Sequence, residues 1–479
     1  MSPLALVLLP IVVGLSLTLR RLRAHAALGL LGTALSLSVL ALVGALGPRG
    51  ELSLFGYARL DATSRLFLAL INPIFLGISG YVASRVAATP ALHRDLWRFV
   101  ALALIFVGAA NAAVLGNHLL LQWMALEVTT LAAAPLIVRP GEGRSRLASW
   151  RYLLFSSVGL SLVLLGFLCL SRAMTAAGHE PTLFLDRLPE FAAVSASPWG
   201  EPGLALLILG LGTKLGLAPM YTWLPEAYDE APPAVTALLG AVQFNAALVV
   251  LLRVIAVYRP GNARLVTAEL LLLGLASMVV STISIIATRN MKRLIAYAAI
   301  NHAGVIAIGL AVGKGTTYGL LLYVISNAFI KAILFLTAGK IKAHYRTDDT
   351  REISGLIKDL PYSGVFLLVG TLALLGFPPF GSFFGELSIL SALVSSGHLF
   401  VFAAFCVLIT TTFIATGRTF FPMVWGMPKQ VHVWQKQTFL AASPKIVFLL
   451  VLVILGLYIP PPLSGLLEQV AASLEAEGS

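Results

Sequence analysis

The sequence predicts an all-α, polytopic membrane protein, and two observations lead to that fold class. The chain of 479 residues is 58% hydrophobic and only 11% charged, whereas soluble domains carry about 25% charged residues. Apolar runs of about 20 residues, the length that crosses a bilayer as a helix, follow one another along almost the whole chain. The mean hydropathy of +0.91 agrees with this pattern. We therefore expect about fourteen transmembrane helices.

The distribution of positive charge predicts how these helices are oriented. The net charge is +12. Lys and Arg are concentrated in one set of alternating loops, at 20–23, 85–98, 139–151, 289–293, 340–358 and 418–445, and are fewer in the other set, at 49–65, 172–187, 253–264 and 314. The positive-inside rule places the richer set in the cytoplasm. We therefore expect a multi-pass protein of the cytoplasmic (inner) membrane of a prokaryote, with both termini outside.

The sequence excludes several other function classes. The excess of Lys and Arg is concentrated in loops and indicates contact with lipid headgroups. The sequence contains no combination of aromatic and basic residues typical of a nucleic-acid-binding module. Cys169 and Cys406 lie inside apolar runs, where a thiol is usually a small buried apolar group. Without a CxxC or Cys/His cluster, or a quinone or nucleotide signature, we expect no metal, no cofactor and no catalytic residue in this chain.

Four charged side chains remain inside the predicted spans: Glu127, Lys214, Lys331 and Glu386. A charge at the middle of a bilayer costs roughly 2.5–3.5 kcal/mol, so such residues face the protein interior or water. A nearby carboxylate favours the charged form of a buried lysine, so a change in the distance between Glu127 and Lys214 would make the lysine hold or release a proton. This pattern favours an ion path, and the alternative is a set of static salt bridges between helices.

Two of the predicted spans are interrupted. Pro219 follows Lys214 in a glycine-rich run, and Pro378 and Pro379 precede Glu386. Proline leaves a backbone carbonyl unpaired, which a membrane tolerates only where that carbonyl faces protein or a cavity. Because the two breaks fall five spans apart, we predict an inverted repeat with the ion site between its halves. Two unrelated proline kinks are the alternative.

Neutral polar side chains lie in the spans between the charged ones and can hydrogen-bond or order water. Only the histidine among them titrates near neutral pH, and for a lone histidine in a span a helix-packing role is an equal alternative. The candidate relay residues are Tyr221, Asn245, Tyr297, Asn301, His302, Tyr323 and Asn327.

Five segments carry a resemblance to a known family. They are WMALEVTTL, GLGTKLGLAPMYTWLPEAYDEAPPAVTALL, TRNMKRLIAYAAINHAGVI, NAFIKAILFLTAGKI and GFPPFGSFFGELSIL. They resemble the antiporter-like subunits shared by respiratory complex I, membrane-bound nickel–iron hydrogenases (including formate hydrogenlyase) and Mrp-type cation/proton antiporters. The resemblance runs from about residue 97 to residue 421.

The resemblance implies a fold of fourteen helices in which helices 4–8 and 9–13 form two inverted five-helix repeats with broken helices 7 and 12. The expected units are 1–96 for the first three helices, 97–258 and 265–421 for the repeats, and 422–479 for an interfacial segment, helix 14 and a short acidic tail. No cofactor is implied.

The resemblance also implies roles for individual residues. Glu127 matches the glutamate of helix 5, Lys214 its partner on helix 7, and Lys331 the lysine of helix 11. Glu386 stands where many members have lysine, and Asn245 where complex I members usually have one. Both features resemble the hydrogenase and formate hydrogenlyase branch, and the glutamate also resembles one complex I subunit.

Four positions depart from the family pattern. Histidines of the family are replaced by Tyr221, Tyr323 and Asn327, and an acidic residue by Asn290. The middle of the path is thus poor in titratable groups, and we expect ordered water to bridge it.

These observations predict a proton-translocating subunit of an energy-converting redox complex, with other membrane subunits and a peripheral redox module as partners. One alternative is the membrane part of a transporter without a redox partner, for inorganic carbon accumulation or cation/proton antiport. The other is a membrane anchor that does not pump.

Overall fold

A computed structural model describes residues 3–47, 52–54, 56–88, 96–313, 315–427 and 439–476. Within these ranges ten helices are long and apolar enough to cross a membrane, and a pair bent by 73°, Ala441–Leu457 with Pro461–Glu475, makes an eleventh candidate. The prediction of an all-helical polytopic protein is confirmed, whereas the count of fourteen is not. The predicted interfacial segment at 428–438 lies outside the described residues, as do Arg49, Arg94, Lys314, Lys429, Lys436 and Glu477.

The first four helices pack against one another. They are α1 (Ala5–Ser16), α2 (Ala26–Leu46), α3 (Ala62–Ala88) and α4 (Leu96–Leu115), with a 3-10 turn at Arg20–His25 and a short hairpin of β1 (Leu52–Leu54) and β2 (Ala58–Leu60). Helix α2 packs on α3, and α1 packs on α4.

A pair of asparagines joins three helices of this bundle. Asn72 and Asn111 exchange hydrogen bonds of 3.1 Å between their side-chain amides, and Asn111 also donates to the Leu6 carbonyl at 2.8 Å. Both side chains are fully buried. Removing one partner leaves the other unsatisfied, so Asn72→Leu should lower the free energy of unfolding by about 1–3 kcal/mol. Chemical unfolding in detergent measures this, and exposed Ser36→Ala is the control; an unchanged stability of the Asn72 variant would contradict it.

The next helices carry the first predicted break. They are α5 (Leu119–Ile137), α6 (Gly143–Ala176), α7 (Gly200–Leu215), α8 (Trp223–Glu230), α9 (Pro233–Ala237) and α10 (Phe244–Tyr258), with a 3-10 helix at Leu188–Ala196. The chain is not helical at 216–222, which contains Pro219. A π-helix, Leu238–Gln243, joins α9 to α10, and the resulting span Pro233–Tyr258 is the most buried of the candidate spans.

The following helices carry the second break. They are α11 (Ala263–Ala287), α12 (Met291–Val312), α13 (Thr317–Tyr345), α14 (Leu356–Asp359), α15 (Pro361–Leu374), α16 (Gly381–Ser395) and α17 (Leu399–Trp425). Non-helical residues 375–380, with Pro378 and Pro379, separate α15 from α16, so these two helices are short halves of one predicted span. Helix α13 is buried along most of its length and contacts α16, α15 and α12.

The C-terminal residues fold back onto this core. Helix α18 (Phe439–Leu457) contacts α3 and α13, and α19 (Pro461–Ala476) follows it. The predicted acidic tail is thus helical as far as it is described, up to residue 476, and Glu475 accepts a hydrogen bond of 3.1 Å from the Gly315 backbone. Tyr318 of α13 contacts Ser464 at 3.2 Å.

Four cations that the charge count assigned to loops lie buried within helices. Arg65 lies in α3, Arg253 in α10, Lys292 in α12 and Lys445 in α18. Hydropathy does not reveal this burial, because Arg253, Lys292 and Lys445 each contact a partner distant in sequence. Lys445 lies 4.9 Å from the centre of the Phe366 ring, and Arg253 pairs with Asp61 at 3.2 Å.

Candidate functional site

The first predicted pair is joined through a threonine. The ammonium of Lys214, buried at the end of α7, donates to the hydroxyl of Thr130, and no ion pair joins it to Glu127 within the described residues. Thr130 and Glu127 lie three residues apart on α5 and therefore on neighbouring positions of its surface. Glu127 is half-buried and accepts from Ser157 at 3.0 Å, and its second oxygen has no hydrogen-bond partner in the described chain. The carboxylate is thus near the lysine without being bound to it.

A buried network continues from this pair towards α10. The hydroxyl of Tyr152 lies 2.8 Å from the amide nitrogen of Gln243, which also donates to Thr129 at 2.9 Å. Lys214 lies 5.5 Å from the centre of the Tyr152 ring. Neutral hydrogen-bonding groups therefore run from the first lysine to the π-helix.

The second lysine lies beside the π-helix that contains Gln243. Lys331 on α13 is 1% exposed, and its ammonium lies 3.6 Å from the centre of the Phe244 ring. A side chain at Gly240 would meet the Lys331 chain at 3.6 Å and the Phe335 ring at 3.3 Å. Asn245 is buried, donates to the Ala241 carbonyl at 2.6 Å, and leaves its own oxygen without a partner in the described residues.

Polar groups of α13 continue from Lys331 towards the second break. Asn327, one turn before Lys331, is buried, and neither its oxygen nor its nitrogen has a partner among the residues described. Buried polar groups without protein partners are usually met by water. Tyr323, one further turn away, bonds through its hydroxyl to Nδ1 of His302.

Glu386 lies against the second break. A side chain at Gly376 would displace the Glu386 carboxylate, and Gly376 has φ +66°. The backbone conformation therefore favours glycine at this position. Glu386, His302 and Asn301 line one cavity of about 10 Å³, which is about the room for one water molecule.

The remaining relay candidates are less closely connected. Asn301 donates to Ser281 at 3.1 Å and so ties α12 to α11. Tyr221 lies in the first break and Tyr297 on α12; both are half-buried, and in the described chain neither hydrogen-bonds to Glu127, Lys214, Lys331 or Glu386.

Asn290 stands where the family has an acidic residue, but the carboxylate of Asp229 lies beside it. Asn290 donates to both carboxylate oxygens of Asp229 at 3.2 Å, and Arg293 pairs with the same carboxylate at 2.9 Å. Lys292 donates to the carbonyls of Asp229 and Ala231. The short helix α8 after the first break is thus tied to the start of α12.

Sequence reasoning missed several polar groups of this network. Thr130 is visible in WMALEVTTL, one turn from Glu127, and Gln243 is visible in GAVQFNAALVV. Because Tyr152 follows Arg151, the sequence suggests that it lies at the end of a loop, but it is fully buried in α6. Their polarity inside apolar segments was an available signal, whereas their mutual contacts were not.

The fold, with two broken helices beside buried charges, is that of antiporter-like membrane subunits, and comparisons with known proteins support this class. Residues 116–414, more than half of the chain, match the family described as NADH:quinone oxidoreductase/Mrp antiporter, TM. A hydrogenase-4 component F homolog of Methylacidiphilum infernorum (isolate V4) is 30% identical over 73% of this chain and 74% of the relative. The chain belongs to this family, and the predicted resemblance is confirmed.

Other relatives come from the complex I branch. The NADH-quinone oxidoreductase subunit N of Nitrosomonas europaea is 28% identical over 71% of this chain and 70% of the relative. The predictions of the antiporter-like class and of a multi-pass membrane protein are thus confirmed.

Solved structures share the fold. One chain of the archaeal membrane-bound sulfane sulfur reductase has a TM-score of 0.88 at 21% identity and covers 98% of this chain and 97% of that chain. A chain of the Mrp complex from Dietzia sp. DQ12-45-1b has a TM-score of 0.84 at 20% identity, covering 100% and 99%. A chain of respiratory complex I from Thermus thermophilus has a TM-score of 0.74 at 24% identity, covering 95% and 97%.

Proposed function

We propose that this chain translocates protons as a membrane subunit of an energy-converting redox complex. The observation that carries the proposal is the buried polar series from Lys214 through Gln243 to Lys331 and on towards Glu386. Charges in a membrane interior are costly and mark ion pathways. The relatives named above are subunits of hydrogenase and NADH-quinone oxidoreductase type, which favours a redox complex over a free transporter or an anchor.

The mechanism follows from the positions of the charged groups. Movement of the unpaired Glu127 oxygen towards or away from Lys214 changes whether the lysine holds its proton. The hydroxyl and amide groups between Lys214 and Lys331 do not titrate near neutral pH, so they order water along which the proton moves. Lys331 then passes a proton by Asn327, Tyr323 and the cavity beside Glu386. Redox events in the peripheral module drive the proton transfer by changing the interaction between Glu127 and Lys214.

The proposal includes the surroundings of the chain. Helices α4–α10 and α11–α17 form two inverted repeats around the path, with the breaks at Pro219 and at Pro378 and Pro379 in corresponding positions. The protein resides in the cytoplasmic membrane of a prokaryote, with the Arg-rich loops inside and both termini outside. Other membrane subunits and a peripheral redox module complete the complex.

Proton uptake by vesicles tests the proposal. Lys214→Ala and Glu386→Gln in the native complex should each lower redox-driven proton uptake roughly tenfold or more, because each removes a charged group of the path. A pH-sensitive dye reports the uptake, and the subunit composition of the purified complex shows that it still assembles. Lys358→Ala and Glu352→Gln make the same chemical changes at exposed positions outside the spans and should pump normally. Normal pumping by both path variants would contradict the proposal, as would purification of the chain without redox subunits.

A further inference from the structure

A large groove lies between the ends of α11 and α17, and it shares none of its lining residues with the cavity beside Glu386. Its volume is about 1030 Å³, and the loop before α14 forms its floor. Three arginines line it: Arg289 after α11, Arg351 in the loop, and Arg418 on α17. All three belong to the loops richer in Lys and Arg, so the groove opens at the membrane surface where basic residues are concentrated.

The walls of the groove are held together by hydrogen bonds. The Thr350 backbone donates to the Arg289 carbonyl at 2.8 Å, which fixes the floor to the end of α11. The Ser354 hydroxyl donates to the Met427 carbonyl at 2.6 Å, which fixes the other end of the floor to the residues after α17. Deeper in the membrane, the hydroxyls of Thr282 and Thr412 contact each other at 2.9 Å. These hydrogen bonds therefore fix the shape of the groove.

The groove carries excess positive charge. Arg351 is paired with Asp349 at 2.7 Å. Arg289 and Arg418 are both exposed, and neither has an ion pair within the described part of the chain. An occupant that contacts both guanidinium groups is therefore expected to be anionic, and the planar guanidinium fits phosphate oxygens well.

The rest of the lining is apolar and faces outward. Ile286 and Ile414 line the groove and are each 61% exposed. In a protein that crosses a membrane, such side chains on the outside of the bundle face acyl chains. Cationic groups above an apolar wall, with the hydroxyls of Thr288 and Thr419 between them, match a molecule with an anionic head and a hydrocarbon tail.

We propose that this groove binds an anionic phospholipid, with its phosphate on Arg289 and Arg418 and an acyl chain along Ile286 and Ile414. The lipid would bridge α11 to α17 at the surface, beyond their Thr282–Thr412 contact. It takes no part in proton transfer, so the proposal stands independently of the proposed function.

Lipid binding to the purified protein tests this proposal. Native mass spectrometry, with phosphatidylglycerol or phosphatidylcholine titrated in turn, measures the apparent affinity for each lipid. The double variant Arg289→Gln/Arg418→Gln should bind phosphatidylglycerol roughly 25-fold more weakly, at about fivefold for each arginine removed near a lipid headgroup. Its affinity for phosphatidylcholine should remain that of the wild type.

A matched double variant controls for net charge. Arg144→Gln/Arg146→Gln removes two exposed arginines of α6 and should keep the preference for phosphatidylglycerol. Equal loss in both double variants, or equal affinity of the wild type for both lipids, would overturn the proposal. Displacement of the bound lipid by millimolar inorganic phosphate would also overturn it, since the groove would then be a site for free anions.

Discussion

Replacing Lys331 by methionine should reduce redox-driven proton translocation to background. The lysine is the buried charge between the Gln243 network and the groups beside Glu386, and methionine cannot carry a proton. Because its ammonium lies against the Phe244 ring, an apolar side chain of similar length fits the site and the complex should still assemble. Dye-monitored proton uptake by vesicles, alongside the thermal stability of the purified complex, measures both effects.

Arginine at the same position separates a proton carrier from a structural cation. A guanidinium keeps the positive charge and does not deprotonate in proteins, so Lys331→Arg should also fail to pump. Lys342→Met, on the same helix but in a half-exposed pair with Asp348, should pump normally. Recovery of pumping in the arginine variant would show that Lys331 acts only through its charge.

Replacing Arg253 by methionine should destabilise the fold by about 3 kcal/mol, the lower end for breaking a buried ion pair, because within the described residues Asp61 keeps only the more distant Arg59 at 3.9 Å. Arg253 on α10 contacts Asp61, the hydroxyl of Ser64 and the carbonyl of Gly116, and so joins α10 to the start of α3 and the end of α4. Chemical unfolding in detergent measures the loss. Arg151→Met, in a more exposed pair with Glu226, should change stability by about 0–1 kcal/mol.

The partner of Arg253 provides the control. Arg253→Met/Asp61→Asn should recover most of the lost stability, since no buried charge remains. Burial opposes ionisation of Asp61, but Arg253 and the hydrogen bonds from Ser64 hold its pKa below the usual value. The wild type should therefore lose stability as pH falls through this lowered pKa, and the double variant should lose less. A double variant as unstable as the single one would contradict the ion-pair explanation.

Much of the architecture could be predicted from local sequence. Hydropathy identifies helices because most spans are long apolar segments, and the breaks at Pro219 and Pro379 follow from the chemistry of proline. The number of spans was predicted less accurately, because α15 and α16 are short halves of one predicted span. Helix α19 was predicted as a tail because its polar residues give no sign in the sequence that the helix packs against α13.

The charged residues of the candidate site could be predicted from the sequence, whereas most of their hydrogen-bond partners could not. Lys214 and Lys331 stand out because a buried charge is rare, but the link through Thr130 depends on how α5 and α7 pack. The partnership of Arg253 with Asp61 spans 192 residues, and no local pattern reveals it. Gln243 joins Tyr152 only because a π-helix precedes α10.

That π-helix makes the chain sensitive to length at one point. A π-turn holds one residue more than an α-turn, and such turns are common at functional sites. Deleting a single residue from Leu238–Gln243 would remove the wide turn and let an ordinary α-helix form, in which the residues after the turn keep their faces. Gly240 and Gln243 would lose the positions from which they approach Lys331 and bond to Tyr152, although the hydropathy of the span would hardly change. The length of this segment therefore matters to the polar network independently of its hydropathy.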